Sequence, residues 1–424
     1  MISVKKFNEI IDLDTIPIDP FWNVGDEKEQ KIHRIHTYPA KFPAFITTKA
    51  IDFARQNNLN PNKIGDIFCG CGTTAFESRR NNINFWGCDI NPVATLIAKV
   101  KSETYQVKKL KEYFNAIISA FVGLREYPHY QDAIQRLKYW YLPEQYDDLS
   151  KLKAAIYSVF PKKTKYRDFF LCAFSNILKP SSKWLSKSIK PQVDPNKPVQ
   201  DVLSLFKHQC NFMIDAYKES RIENDATIEI VTKSIFDELN TNKNLDIIVT
   251  SPPYVTSYEY ADLHQLSTLW LDYATDFRDF RKGTIGSDYC SDDIEYSCLN
   301  SSGAEIVNKM QEVDKAKAKS VAKYYLDMQR VAKKSYDLLN EKGYALFVIG
   351  NTEYKNVRID NAKHLSQSLF DAGFRELQIT KRKISNKILT PYRDSNGKFS
   401  SDSSGRKIYS EEFIVIGTKE RVCR

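Results

Sequence analysis

Short apolar runs alternate with amphipathic stretches in the first hundred residues, and the same alternation returns after residue 225. The apolar runs have the length of β-strands, and the stretches between them space their apolar residues as a helix does. The predicted strands lie at 64–68, 85–89, 226–231, 245–250 and 343–351, and the predicted helices at 48–57, 73–81, 315–339 and 362–372. Strands that alternate with helices predict an α/β fold with a mostly parallel sheet.

A long segment at 105–225 interrupts this order. It is rich in Lys, Tyr, Leu and Ala with helical periodicity, and it carries no strong strand signal. We therefore divide the chain into one domain formed by 1–104 and 226–424 and a helical insertion at 105–225.

The insertion contains a basic stretch at 178–191 with several hydroxyl groups. Its candidate contacts to a phosphate backbone are Lys179, Lys183, Trp184, Lys187 and Lys190. The stretch is predicted to bind nucleic acid. The alternative is a solvated basic loop whose tryptophan packs into the insertion.

Two later segments are expected to lie at the surface. Residues 381–407 are predicted to form a basic loop suited to a nucleic-acid groove, through Lys381, Arg382, Lys383 and Arg393. Residues 275–315 are expected to be a mobile segment, either a lid over a substrate or a disordered loop.

Composition adds a modest electrostatic argument. The 424 residues include 62 Lys and Arg against 53 Asp and Glu, and the formal net charge of +9 favours a polyanionic partner. No apolar run approaches the roughly 20 residues that cross a bilayer, and the first residues lack the apolar core of a secretion signal, so we expect a cytoplasmic protein without a membrane partner. The eight cysteines show no C-x-x-C pairing, which predicts free thiols and no metal site.

The chemistry-bearing stretch with the most information is Ser251-Pro252-Pro253-Tyr254, which directly follows the strand at 245–250. Two prolines fix the backbone and supply no N–H, so loop carbonyls stay free as acceptors. A planar group with an exocyclic amine could donate to Ser251 and to a loop carbonyl while the Tyr254 ring stacks on its face. Tyr258 and Tyr260 are candidates for the wall of the same pocket, whereas His264 is expected to be a packing residue rather than a base.

A second stretch follows the first strand. Gly70 and Gly72 allow a sharp turn before a helix, whose first N–H groups would face a ligand. The next predicted strand ends at Asp89, where a carboxylate accepts hydrogen bonds from the ribose in nucleotide sites.

Together these residues resemble the amino-methyltransferases that use S-adenosylmethionine, and Ser-Pro-Pro-Tyr is similar to the form typical of DNA cytosine-N4 methyltransferases. The segment 36–43 resembles the family segment that closes over the methionine end of the cofactor. The resemblance implies a Rossmann-like class I methyltransferase sheet that ends in an antiparallel hairpin formed by 376–380 and 413–417. It implies catalytic roles for Ser251, Pro252, Pro253 and Tyr254. It implies cofactor contacts from Tyr38, Lys41, Phe42, Pro43, Asp66, Phe68, Gly70, Gly72, Thr73, Thr74, Asp89 and Ile90.

The function that this resemblance implies is transfer of a methyl group to N4 of a cytosine flipped out of double-stranded DNA. Three alternatives stay open: adenine-N6 methylation of DNA, methylation of an exocyclic amine in RNA, and a catalytically silent DNA-binding subunit. The target sequence is not readable, and neither is whether a cognate restriction endonuclease accompanies the protein.

Overall fold

The computed structural model describes most of the chain. The described residues are 1–7, 12–25, 28–39, 41–198, 200–237, 244–255, 260–285, 294–384, 392–393, 399–400, 406–407 and 410–420.

The strands and helices divide between a sheet domain and the insertion. The strands are β1 (Ile2–Val4), β2 (Lys63–Asp66), β3 (Asn84–Asp89), β4 (Ile228–Thr232), β5 (Leu245–Thr250), β6 (Leu339–Ile349), β7 (Thr352–Tyr354), β8 (Val357–Ile359), β9 (Glu376–Lys383), β10 (Tyr392–Arg393), β11 (Phe399–Ser400), β12 (Arg406–Lys407) and β13 (Glu411–Thr418). The α-helices are α1 (Ala44–Gln56), α2 (Thr73–Arg80), α3 (Pro92–Ser102), α4 (Val107–Gly123), α5 (Gln135–Trp140), α6 (Pro143–Val159), α7 (Lys165–Ile177), α8 (Val202–Glu219), α9 (Tyr260–Leu263), α10 (Gln265–Trp270), α11 (Ser301–Val313), α12 (Lys315–Leu338) and α13 (Asn361–Ala372). Short 3-10 turns lie at Leu13–Thr15, Pro20–Trp22, Lys31–Arg34, Tyr130–Asp132, Phe277–Arg281 and Tyr296–Cys298.

The central sheet has eight strands in the order β1-β9-β13-β6-β5-β2-β3-β4. The pairs from β6 to β4 are parallel, whereas β13 is antiparallel to both β6 and β9. The predicted α/β fold, with a mostly parallel sheet and a C-terminal antiparallel hairpin, is confirmed. Strand β1 extends the sheet beyond the hairpin by pairing with β9, a strand that the sequence did not predict.

Alternation along each strand divides the sheet into two buried faces. In β5, Ile247 and Val249 pack on the side of α1 and α2, whereas Ile248 packs on the side of α11, α12 and α13. The sheet is therefore covered by helices on both sides, which explains why its central strands are apolar at nearly every position.

The insertion packs against helices of the rest of the chain. Its helices α4 to α8 share a single hydrophobic core with residues of α3 and α10, including Leu96, Val100, Leu266 and Trp270. The described residues of 105–225 contain no strand, and only one isolated bridge joins Trp184 and Val193.

Three expectations about local structure were wrong. The first helix begins at Ala44 rather than at residue 48, directly after Pro43. Within 275–315, α11 buries Ile306 and Met310 beside α12, so this part is packed rather than mobile, whereas 286–293 lie outside the described residues. Residues 381–383 belong to β9 rather than to a loop, because they pair in register with 411–413 of β13.

Candidate active site and basic cleft

A cleft of about 960 Å³, counting open solvent at its mouth, lies at the carboxyl ends of β2, β3 and β5. Ligands of open α/β sheets bind at this edge, where the chain leaves neighbouring strands in opposite directions. Of the predicted site residues, those that line the cleft are Tyr38, Phe68, Gly70, Asp89, Ile90, Ser251 and Pro253. Predicted residues at the carboxyl ends of β2, β3 and β5 therefore line one cleft.

Asp89 and Gly70 form the polar floor of this cleft. Gly70 has a φ of 47°, in the left-handed region, and its N–H donates to Asp89 Oδ2 at 2.9 Å. The Asn91 N–H donates to Asp89 Oδ1 at 2.8 Å. Burial raises the pKa of Asp89 to about 6 although both hydrogen bonds oppose that rise. Each carboxylate oxygen keeps a further lone pair that can accept a hydroxyl group.

Asp66 has a supporting position instead of facing the cleft. It is 3% exposed, and its Oδ1 accepts the Thr250 hydroxyl at 2.7 Å and the Phe68 N–H at 3.1 Å. Burial raises the pKa of this carboxyl to about 7. The carboxyl thus ties the end of β2 to the end of β5.

Gly72, Thr73 and Thr74 do not line the cleft. A Cβ on Gly72 would lie 2.6 Å from the Ala98 backbone, so this glycine permits close packing of the turn on α3 rather than approach to a ligand. The side chains of Thr73 and Thr74 are buried in the first turn of α2.

The loop Ser251–Tyr254 leaves β5 beside Gly70 and Asp89. Ser251 Oγ donates its proton to the Val348 carbonyl at 3.0 Å, so the lone pairs of this oxygen are left to accept. Pro252 is buried, whereas Ser251 and Pro253 are half-buried at the cleft wall. Among the described residues, the loop therefore presents a rigid acceptor to the cleft.

The Tyr254 hydroxyl points to the hairpin. It donates to Glu412 Oε1 at 3.0 Å, and Glu412 is paired with Arg382 on the neighbouring strand. The Tyr254 ring passes close to Gly350, where a Cβ would come within 3.7 Å of it. Burial and the adjacent Glu412 carboxylate raise the pKa of Tyr254 well above its usual value, so the phenol stays protonated.

Tyr38 and His264 form a wall between this cleft and a second one, because both residues line both cavities. Their rings stack at a centroid distance of 4.9 Å. His264 is 4% exposed, its Nε2 has no partner among the described residues, and burial lowers its pKa to about 4. Lys41 and Pro43 line the second cleft only, and Phe42 packs on the core beside α1.

The second cleft is larger, about 3520 Å³ with open solvent included, and basic. We refer to it as the basic cleft. Its cationic side chains are Lys28, Arg34, Lys41, Arg80, Lys179, Lys197 and Arg382, and its acidic ones Glu29 and Glu77. One edge of the basic cleft lies close to the Ser-Pro-Pro-Tyr loop, because Arg382 pairs with Glu412 and Glu412 accepts the Tyr254 hydroxyl.

The predicted nucleic-acid contacts of the insertion have different environments. Trp184 is 1% exposed and stacks on Trp140 at 4.9 Å, so it packs into the insertion although its edge lines the basic cleft. Lys179 donates to the Ser188 carbonyl. Lys183 is half-buried, and Lys187 and Lys190 are exposed.

Lys197 is a residue of the basic cleft that the sequence did not indicate, and its side chain holds the backbone of residues 179–184 in place. Its Nζ donates to the carbonyl oxygens of Lys179, Ser182 and Trp184 at 2.8 to 2.9 Å. Burial lowers the pKa of Lys197 to about 8. No local pattern could have revealed this role, since the three carbonyls belong to backbone folded around the lysine.

Two of the nucleic-acid contacts predicted in the segment 381–407 are too buried to reach into a DNA groove. Lys381 and Arg382 are each 4% exposed, and both pair with glutamates of β13. Lys383 ends the strand in an exposed position. Arg393 lies in β10, and its side chain is outside the described part, as is Tyr258.

Several cleft residues were not among the predicted site residues. Phe280 and Gly283 reach the cleft from the 3-10 turn after α10, and Lys233, Ser234 and Ile235 reach it from the turn after β4. Tyr260, a predicted wall residue, also lines it.

Within the described ranges, no group of His, Cys, Asp or Glu could hold a metal ion. Over the same ranges, no helix has the length and apolarity needed to cross a membrane. Cys69 and Cys71 are buried free thiols in the turn after β2.

This chain is similar in sequence to two proteins named as Type II methyltransferases. It is 24% identical over 404 residues to M.MvaI of Kocuria varians, with 88% of each chain covered. It is 25% identical over 334 residues to M.MjaII of Methanocaldococcus jannaschii, which covers 56% of this chain and 62% of that protein. The rRNA methyltransferase aviRa from Streptomyces viridochromogenes aligns with 93% of this chain and 94% of its own at 9% identity and a TM-score of 0.31, too low to carry an argument. No protein-family model matches the chain.

Proposed function

We propose that this protein is a DNA methyltransferase that transfers the methyl group of S-adenosylmethionine to N4 of cytosine. The observation that carries the proposal is that Ser251 and Pro253 of the Ser-Pro-Pro-Tyr loop line the same cleft as Gly70 and Asp89, with Tyr254 directly after Pro253. The similarity to two Type II methyltransferases, one over 88% of each chain, supports methyl transfer as the reaction class.

The cleft fits the proposed cofactor. Asp89 offers acceptors for ribose hydroxyls, and the side chains of Ile90 and Ile235 offer apolar surfaces for a purine. Within the described residues, the turn after β4 presents Lys233 and Ser234, and no carboxylate of its own, to the cleft beside these apolar surfaces. When bound, S-adenosylmethionine supplies an electrophilic methyl group on a sulfonium centre.

The protein's part in the reaction is alignment. Ser251 Oγ, whose proton is held by the Val348 carbonyl, accepts a hydrogen of the target amine and thereby raises the electron density on its nitrogen. Tyr254 stacks on the base, which offsets part of the few kcal/mol that flipping it out of the duplex costs. Water is excluded by the apolar side chains around the loop, which favours in-line attack by the neutral amine.

We infer that the duplex lies in the basic cleft. The cleft carries seven cationic side chains against two acidic ones, a balance that favours a phosphate backbone. It adjoins the cofactor cleft at Tyr38 and His264, so a flipped base has a short path to the loop. The insertion and the part of the segment 381–407 that follows β9 are the proposed target-recognition elements, because Lys381 and Arg382 are buried within the strand.

The serine at the first position of the loop favours cytosine as the target base. Incubation with tritiated S-adenosylmethionine and mixed duplex DNA, followed by digestion to nucleosides and chromatography, tests this. Label in N4-methylcytosine is the expected result. Label in N6-methyladenine would overturn the base assignment but keep the reaction, and label only in RNA would overturn the substrate class.

The Ser251→Ala variant is the matched control for this experiment, since it removes the acceptor and leaves the two prolines. We expect it to bind the cofactor normally and to label DNA at less than about a tenth of the normal rate. No label in any nucleic acid would overturn the proposed function and favour a silent DNA-binding subunit. A cognate restriction endonuclease is a proposed partner, and resistance of the methylated DNA to one such enzyme would identify the shared site.

A further inference from the structure

Arg382 and Glu412 link the basic cleft to the catalytic loop. They face each other across β9 and β13, with side chains 4% and 15% exposed. The Arg382 guanidinium lines the basic cleft, and Glu412 Oε1 accepts the Tyr254 hydroxyl. The side chain proposed to stack on the target base is therefore anchored to the wall of the cleft proposed to hold the duplex.

Stability alone does not explain this pair. Burying two charges costs desolvation that their attraction barely offsets, and an apolar pair of similar volume is often at least as stable. Arg382 Nε is also buried without a partner in the described part of the chain. A partly satisfied polar network in a core is costly, which points to a functional reason for its presence.

The adjacent residues on the same two strands form a natural comparison. Lys381 Nζ pairs with Glu411 Oε1 at 2.9 Å and donates to the Asp14 carbonyl. Successive residues of a strand point to opposite faces of the sheet, so this pair lies on the other face. It neither lines the basic cleft nor contacts the Ser-Pro-Pro-Tyr loop.

We propose that Glu412 and Arg382 are positioning residues for the proposed methyl transfer, an inference that rests on the proposed function. Glu412 fixes the Tyr254 ring through its hydroxyl, and Arg382 orients the Glu412 carboxylate. A ring held in place before the base arrives loses less side-chain freedom on binding. DNA in the basic cleft excludes water from the pair, which strengthens its attraction when the ring is needed.

Two variants separate this role from a structural one. Tyr254→Phe removes only the hydroxyl and leaves the pair intact. The variant with both Arg382→Met and Glu412→Leu replaces the ion pair with an apolar pair that preserves folding. We expect each to lower kcat about tenfold, the loss of one hydrogen bond to a charged group, with an unchanged Kd for S-adenosylmethionine.

The combined triple variant is the decisive measurement. If Glu412 acts through the Tyr254 hydroxyl, adding Tyr254→Phe to the apolar pair lowers kcat no further. The matched control, Lys381→Met with Glu411→Leu, is expected to keep the kcat of the unmodified protein. Melting temperatures of all variants verify that each is folded.

The outcomes distinguish this inference from the function on which it rests. An apolar-pair variant with normal kcat, or losses that multiply in the triple variant, overturns the positioning role while DNA methylation by the unmodified protein stands. An unmodified protein that methylates no DNA overturns both.

Discussion

Cofactor affinity is expected to fall as the pH is lowered through 6, because the proposed ribose contact is a carboxyl group with a raised pKa. Burial raises the pKa of Asp89 to about 6, against the opposing hydrogen bonds from Gly70 and Asn91. An ionised carboxylate accepts hydrogen bonds from two ribose hydroxyls, whereas the protonated form has lost part of that capacity. The cofactor therefore binds the ionised form.

The size of the effect follows from the fraction of protein in that form. Well above the pKa nearly every molecule is ionised, so the Kd is independent of pH. One pH unit below the pKa about one molecule in ten is ionised, and the Kd is roughly tenfold higher at pH 5 than at pH 7.

Isothermal titration with S-adenosylmethionine at half-unit steps between these pH values measures the effect. Asp89→Asn should bind more weakly and with little pH dependence. Asp66→Asn is the control, because Asp66 also has a raised pKa but does not line the cleft, and it should keep the pH dependence. A Kd that does not change with pH, or a tenfold change that persists in Asp89→Asn, would refute the reasoning.

Three further changes give separate outcomes. Gly72→Ala should lower the free energy of unfolding by about 2–4 kcal/mol, because Gly72 has a φ of 74° and an added Cβ would lie only 2.6 Å from Ala98. Gly70→Ala should cost about 1 kcal/mol, because the nearest atom to its Cβ would be 3.6 Å away, in ordinary contact; equal losses in urea unfolding would contradict this. Replacing exposed Lys187 and Lys190 with Gln should reduce the slope of log affinity for duplex DNA against log salt by about 2 without changing the melting temperature, and an unchanged slope would remove them from the DNA surface. Trp184→Ala should cost about 3–5 kcal/mol of unfolding free energy because the ring is buried, and a loss below about 1 kcal/mol would contradict its packing.

The candidate site could be predicted where the signal lies in the local backbone. Asp89 and Ser251 directly follow apolar strands, and the carboxyl ends of parallel strands meet at one edge of the sheet. Gly70 and the two prolines mark the turns at that edge. These short-range patterns were sufficient to bring Gly70, Asp89 and Ser251 to one cleft.

Residues whose placement depends on distant partners could not be found in this way. The polar run at 380–383 has the composition of a loop, but Glu411 and Glu412 neutralise two of its cations across a strand pair about thirty residues later. Phe280 reaches the cleft because Phe277, three residues earlier, packs into the core of the insertion. Pairing and packing at such separations leave no mark on the local sequence.

The shared core of the insertion has a consequence for protein engineering. Because its helices bury apolar residues against α3 and α10, the insertion shares one hydrophobic core with the rest of the chain and is not a detachable module. Grafting residues 105–225 onto another sheet would expose the apolar side chains that pack on α3 and α10. Deleting them would expose the apolar face of α3, the helix that follows Asp89. A change of sequence preference is therefore better sought by exchanging surface side chains in place than by exchanging the segment.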